Sequence, residues 1–72
     1  MDVRVRVGRN VQGLRHERGL SQEELAHRAR VHPTYLSGVE RGRRNPTITV
    51  LQRIAEALGS DIEQIVSGKN TK

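Results

Sequence analysis

Apolar residues recur along most of this sequence at intervals of three and four, the repeat expected for one face of an α-helix. The first stripe consists of Val3, Val7, Val11 and Leu14. Gly19 follows it as a candidate C-terminal cap, so the stripe predicts a first helix ending near this glycine. The alternation VRVRV at residues 3–7 is also typical of a β-strand, but it is short and no later segment could pair with it. We therefore favour the helix.

Two short helices follow, and capping signals mark where each begins. Ser21 and Glu24 have the spacing of a capping box, in which each side chain bonds the backbone of the other residue. The next helix has His32 as its predicted N-cap and Pro33 at its first position, where the missing backbone N–H costs nothing. The second helix is expected to end by Arg30.

A fourth helix has the clearest periodicity in the chain. Thr47 is its predicted N-cap, and Gly59 is expected to end it. Its apolar positions are Ile48, Leu51, Ile54, Ala55 and Leu58.

Ser60 and Glu63 repeat the capping-box spacing and predict a fifth, short helix. The polar residues 67–72 that follow are typical of a frayed tail. The pattern as a whole therefore predicts an all-α fold of five helices in one domain spanning residues 1–72.

The composition limits what such a domain can be. With 72 residues, 33% of them hydrophobic, the chain can build only a small core. It has no cysteine, which excludes disulfides and thiolate zinc sites, and its histidines show no metal-ligand spacing. No apolar run approaches the length that spans a bilayer. We expect a soluble cytoplasmic protein that is not an enzyme and has no signal peptide, metal, cofactor or small-molecule ligand.

Charge changes this picture, because thirteen Lys and Arg residues against eight Asp and Glu give a formal charge of +5. Eleven of the thirteen are arginine. The planar guanidinium matches phosphate and guanine edges, whereas lysine would serve solubility equally well. This favours a polyanionic partner, with a merely solvated basic surface as the alternative.

The third predicted helix has one side suited to close contact with such a partner. Leu36 and Val39 form its apolar side. The opposite side carries only small or polar residues, spaced i, i+3, i+4 and i+7: Thr34, Ser37, Gly38 and Arg41. Two short helices joined by about four residues, the second with such an outer face, are typical of a helix-turn-helix.

The residues of this region also resemble a known family. Residues 20–59, LSQEELAHRARVHPTYLSGVERGRRNPTITVLQRIAEALG, are similar to phage-repressor-like DNA-binding domains of the Cro, repressor and xenobiotic-response-element type. The resemblance rests on the spacing of Gln22, Ala26, Val31, Leu36 and Val39. Small stand-alone regulators, such as controller proteins of restriction–modification systems, are most similar in length and in the segment TYLSGVERGRRNP.

The resemblance implies a regulator that binds double-stranded DNA with residues 33–41 in the major groove. Gln22, at a helix N-terminus, would contact backbone phosphate, and Arg43 and Arg44 would clamp phosphates beside the groove. Arg41 is compatible with either guanine or phosphate, and DNA shape could supply much of the specificity. The residues expected to face bases or nearby phosphates are His32, Pro33, Thr34, Ser37, Gly38 and Arg41.

Two further positions matter for the structure of this region. The family pairs an arginine of the first helix with a glutamate, and Arg15 and Glu40 match these positions, so we expect a partly buried ion pair that could also orient Arg15 towards phosphate. Arg30 stands where the family usually has glycine in the turn. A left-handed arginine there would cost roughly 1–2 kcal/mol, so either the turn differs or it tolerates strain.

We expect a homodimer on a two-fold operator, because such regulators bind paired half-sites. The apolar residues of the last two helices are either its dimer surface or the completion of the core: Val50, Ile62, Ile65 and Val66. One alternative function is a protein-interaction module such as an antitoxin. RNA binding is a weaker alternative, since Tyr35 is the only aromatic residue available to stack on bases.

Overall fold

The computed structural model describes residues 2–68, and these residues form five α-helices without a β-strand. The segment VRVRV lies within the first helix, so the all-α prediction is confirmed. Residues 69–72 of the predicted tail lie outside the described part of the chain. The helices are α1 (Val3–Glu17), α2 (Gln22–Ala29), α3 (Pro33–Glu40), α4 (Ile48–Ala57) and α5 (Ile62–Val66).

Side-chain caps fix the start of α2 as predicted. The Ser21 hydroxyl accepts a hydrogen bond from the Glu24 backbone N–H at 3.0 Å, and the Glu24 carboxylate accepts one from the Ser21 N–H at 2.9 Å. This second bond holds the pKa of the Glu24 carboxyl below its usual value, because it stabilises the charged form. The predicted capping box is thus confirmed.

The predicted cap of α5 is wrong by one residue. Asp61, rather than Ser60, accepts the hydrogen bond from the Gln64 backbone N–H, at 2.9 Å. The Ser60 backbone N–H is already bonded to the carbonyl of Ala55, so this residue completes the C-terminal turn of α4. The capping box expected from Ser60 and Glu63 therefore does not form.

All five helices contribute to one apolar core. It packs α2 against α3 and α4, α1 against α3 and α5, and α4 against α5. Ile48 is an exception, since this first residue of α4 is 76% exposed although its spacing predicted burial. The most deeply buried large side chains are Val11, Leu25, Leu36, Val39, Ile54, Leu58 and Ile65.

Gly8 allows α1 and α3 to pack with their backbones in contact. A Cβ added at this position would lie 2.5 Å from the carbonyl oxygen of Val39 and 2.6 Å from that of Glu40. Any larger side chain would push the two helices apart, because neither obstacle is a movable side chain. Gly8 therefore determines how closely the inner side of α3 packs against α1.

The turn between α2 and α3 keeps the left-handed conformation usual in the family. Arg30 has φ 61° and ψ 41°, and it is the only residue other than glycine with positive φ among residues 2–68. Of the two alternatives left open by the sequence, the structure shows a tolerated strain rather than a different turn.

Polar side chains of α1 bind the carbonyl groups at the end of α5. The buried Asn10 amide donates to the carbonyls of Ile65 and Ser67, at 2.7 and 2.9 Å, and Arg6 donates to the carbonyl of Val66 at 3.0 Å. Helix ends leave such carbonyls without intrahelical partners. Ser67, expected in the frayed tail, is therefore held against α1. Within residues 2–68 no helix is both long and apolar enough to cross a membrane.

Candidate nucleic-acid interface

The outer side of α3 and the loop that follows it bring the predicted contact residues together. The inner side of the helix is fixed by Leu36 and Val39, both buried in the protein. Ser37 and Gly38 are half-buried on the outer side. The remaining residues predicted there are exposed: His32, Pro33, Thr34, Arg41, Arg43 and Arg44.

Capping holds the start of α3 in place. The Nδ1 atom of His32 accepts a hydrogen bond from the Thr34 backbone N–H at 3.1 Å. Pro33 occupies the first turn, where its fixed φ suits the helix and its missing N–H leaves no partner unsatisfied. The residues that begin the predicted recognition helix are therefore ordered by local chemistry.

Glu40 joins three helices from the inner side of α3. Its carboxylate accepts hydrogen bonds from Arg15 Nε at 2.8 Å and Arg15 Nη2 at 3.1 Å, and from Gln22 Nε2 at 2.9 Å. The side chains of Arg15 and Glu40 are 9% and 2% exposed. Glu40 is the only acidic residue between positions 25 and 55, and this contact removes its charge from the outer surface.

The same contacts correct one expectation about Arg15. A third donor, Nη1, binds the carbonyl of Leu20 at 2.9 Å, so the guanidinium is committed to protein acceptors. Because the side chain is also buried, Arg15 is not presented to phosphate. Its role in the structure is to hold α1, α3 and the start of α2 together.

Gln22 lies at the first position of α2 and is half-buried. One hydrogen of its amide nitrogen is donated to Glu40. An amide nitrogen has two hydrogens, so a second donor is left for an acceptor outside the protein. The contact with Glu40 thus orients Gln22 beside the unpaired N–H groups of the helix end.

Arg44 folds back onto the outer side of α3. Its guanidinium carbon lies 5.4 Å from the centre of the Tyr35 ring, which is a cation–π contact. A Cβ added at Gly38 would lie 2.8 Å from Arg44 Cγ. Gly38 therefore makes room for Arg44, a purpose that its sequence position alone did not indicate.

The arginines fall into two groups that composition could not separate. Several bind the ends of neighbouring helices: besides Arg6, Arg18 donates to the carbonyl of Leu58 at 2.9 Å and Arg53 to that of Ala29 at 3.1 Å. Arg41 and Arg43 differ, since their backbone N–H groups are bonded but no hydrogen bond or ion pair engages either guanidinium within residues 2–68. Arg41 and Arg43 thus supply free cations beside α3, while part of the positive charge is structural.

The residues predicted for a dimer surface do not share one environment. Ile65 is completely buried in the core of the single chain, so for this residue the structure fits the second alternative, completion of the core. Val50, Ile62 and Val66 are partly buried and pack against the same core. Exposed Ile48 was not among the predicted residues, because the 3.6-residue repeat placed it on the buried face.

A metal site and a cleft for a small molecule are two other kinds of functional site. The described residues contain no group of three or more His, Cys, Asp or Glu side chains that could hold a metal ion. A cleft of about 420 Å³ lies between the ends of α2 and α4 and is bordered by Arg28, Arg30, Arg53 and Glu56, with no residue of α3 in its lining.

Comparison with known proteins supports the same interpretation as the geometry of the site. The helix-turn-helix family matches residues 12–65. The uncharacterized HTH-type transcriptional regulator y4dJ of Sinorhizobium fredii is 48% identical over 67 residues, covering 93% of this chain and 87% of that protein. The control protein C.SmaI of Serratia marcescens is 35% identical over 72 residues, covering 100% of this chain and 86% of that protein.

Among solved structures, the restriction-modification controller protein C.AhdI of Aeromonas hydrophila superposes with a TM-score of 0.84 at 35% identity. The superposition covers 86% of this chain and 94% of that one. These relatives are regulators rather than enzymes, and the resemblance drawn from residues 20–59 is confirmed. The chain belongs to the helix-turn-helix family and is a DNA-binding transcriptional regulator.

Proposed function

We propose that this regulator binds a two-fold symmetric operator in double-stranded DNA as a homodimer, with α3 of each protomer in the major groove. The observation that carries the proposal is the outer side of α3, which presents small polar and basic residues while Glu40 is turned inward and neutralised. Half-sites for such a dimer lie about one helical turn, roughly 34–36 Å, apart. The protein would act in the cytoplasm, where it meets DNA.

Within this arrangement the side chains divide the work by their chemistry. Thr34 and Ser37 are short enough to let the helix surface come close to base edges, which their hydroxyl groups can then contact. The Thr34 methyl is also able to contact a thymine methyl. Gln22 and Arg43 bind phosphates on either side and set the register of the helix. Arg41 binds guanine or phosphate, and Arg44 adds a cation above Gly38. No strong base reader other than Arg41 is present, so DNA shape contributes to the specificity.

The dimer surface is proposed on the last two helices. Val50, Ile62 and Val66 remain partly accessible after the core is formed, and Ile48 adds the most exposed large apolar side chain of α4. Burying these groups against a second copy would remove apolar surface from water. A position on α4 and α5 also leaves the outer side of α3 open to DNA.

The test is selection of bound sequences from a pool of random duplex DNA at moderate salt. The proposal predicts enrichment of a motif with two-fold symmetry and two half-sites one helical turn apart. Binding that depends on salt but enriches no motif would contradict it, because contacts to phosphates alone carry no sequence information. That outcome would instead favour the protein-interaction module as the main function.

A further inference from the structure

The hydrogen bond by which His32 caps α3 also holds the His32 imidazole ring in one tautomer. The Thr34 backbone N–H donates to Nδ1 of the His32 ring, at 3.1 Å. A ring nitrogen that accepts a hydrogen bond has no hydrogen of its own, and a neutral imidazole carries only one. The hydrogen of His32 therefore lies on Nε2.

The position of this hydrogen gives it a defined direction. Nδ1 and Nε2 are separated by Cε1 in the imidazole ring and point outward in widely different directions, so a ring whose Nδ1 faces the backbone of α3 directs Nε2–H away from that backbone. The His32 side chain is exposed, and no acceptor elsewhere in residues 2–68 engages Nε2. The first turn of α3 thus presents an oriented, unused hydrogen-bond donor at its tip.

We infer that His32 acts as a hydrogen-bond donor of fixed sense at the N-terminal tip of α3, that is, its outward nitrogen donates and cannot accept. We expect it to select an acceptor atom on DNA. The inference rests on the proposed function, in which the N-terminal residues of α3 approach the base edges. Acceptors of this kind are guanine N7 and O6, adenine N7, thymine O4 and phosphate oxygens. An amino group of cytosine or adenine in the same place would face Nε2–H with a second donor and would be rejected.

The fixed sense distinguishes His32 from its neighbours on the same surface. The hydroxyl groups of Thr34 and Ser37 can donate or accept and can rotate to suit either partner. Each of them is therefore compatible with several bases. A donor whose sense is set before DNA arrives narrows that choice, and it does so without a rearrangement on binding.

The test compares two variants that differ only in the position of one methyl group. The substitution His32→Nε2-methylhistidine removes the outward donor but keeps Nδ1 as the acceptor for Thr34. The substitution His32→Nδ1-methylhistidine blocks that acceptor instead, and it controls for the added methyl group. We expect the first variant to unfold at the wild-type temperature and to bind the selected operator about fivefold or more weakly. The second variant should have a lower unfolding temperature, because it loses the cap.

Matched DNA duplexes identify the acceptor and separate a lost hydrogen bond from a steric clash. If the acceptor is guanine N7, replacing that guanine by 7-deazaguanine should weaken wild-type binding but not weaken the Nε2-methyl variant further. If the acceptor is instead a phosphate oxygen, the Nε2-methyl substitution should lower affinity equally for the operator and for an unrelated duplex. If the Nε2-methyl variant binds both the operator and the unrelated duplex as tightly as the wild type does, the inference is overturned.

Nitrogen-15 NMR of the free protein separates this inference from the proposed function. We expect the His32 spectrum of a neutral ring with its hydrogen on Nε2. The opposite tautomer would overturn the inference even if the protein binds an operator. If the tautomer is as expected but the wild-type protein selects no DNA sequence, the proposed function fails, and the DNA contact of His32 fails with it.

Discussion

Arg30 is an arginine in a backbone conformation that favours glycine. Its side chain is exposed, so the strain of φ 61° is not repaid by burial in the core. We expect Arg30→Gly to raise the free energy of unfolding by about 1 kcal/mol, since relief of the left-handed strain exceeds the added freedom of the unfolded chain. Urea denaturation measures this change. Arg30→Ala keeps the strain and removes the charge, and an equal gain in that control would contradict the explanation.

Glu40 is a residue on which three helices depend. Replacing it with alanine would leave the buried guanidinium of Arg15 without its counter-charge and free the amide of Gln22. We expect Glu40→Ala to lower the free energy of unfolding by about 3 kcal/mol or more. The exposed Glu56 is the matched control, and Glu56→Ala should change stability by less than about 0.5 kcal/mol. Similar losses from both variants in chemical denaturation would show that the buried pair has no special role.

At the scale of the helix, α1 contains two glycines with opposite consequences. A Cβ at Gly8 would meet the backbone of α3, whereas a Cβ at Gly13 would meet nothing within 4 Å. We expect Gly8→Ala to destabilise the protein by about 1–3 kcal/mol through overpacking. Gly13→Ala should stabilise it by about 0.5–1 kcal/mol, because alanine favours the helix. Thermal unfolding of the two variants gives the comparison, and a gain in stability for Gly8→Ala would contradict the close packing of α1 on α3.

The elements that local chemistry determines were predictable from the sequence. The capping box of α2 and the His32 cap of α3 depend on residues two or three positions apart, so their spacing was sufficient. The missed features depend on other parts of the chain. Ile48 has the spacing of a core residue but no neighbouring helix covers it, and the close contact at Gly8 depends on where α3 crosses α1.

The site was predictable to a similar extent. The outer side of α3 follows from helical spacing together with the family resemblance, and both place the same residues on one surface. The positions of Arg44 and Gln22 do not follow from spacing, because each depends on a contact with a distant residue. Arg44 lies against Tyr35 and Gly38, and Gln22 donates to Glu40.

For the whole molecule, the division of the arginines predicts which charges set the salt dependence of DNA binding. Arg43→Gln should reduce the slope of log affinity against log salt concentration by about 1 for each protomer, because one phosphate contact is lost. Arg18→Gln should leave that slope unchanged, since Arg18 is bonded to the end of α4. Fluorescence anisotropy at several salt concentrations measures both slopes. A larger loss of slope for Arg18→Gln than for Arg43→Gln would contradict this division.

The proposed dimer makes a second prediction for the whole molecule. Ile48→Glu should weaken self-association while leaving the fold intact, since Ile48 is exposed and an acid at the first position of α4 suits the helix dipole. Gln12 is exposed on α1, so Gln12→Glu is the control and should not alter self-association. Sedimentation at several concentrations distinguishes the two. Equal weakening by both substitutions would place the contact outside α4 and α5.

The central claim is that the outer side of α3 reads DNA sequence. Its most direct test is the affinity of Thr34→Ala/Ser37→Ala for the selected operator and for an unrelated duplex, with Gln12→Ala, at an exposed position of α1, as the control. We predict that the double variant loses about tenfold or more in operator affinity and keeps its affinity for unrelated DNA. The control should behave as the wild type. Unchanged operator affinity in the double variant would contradict the claim.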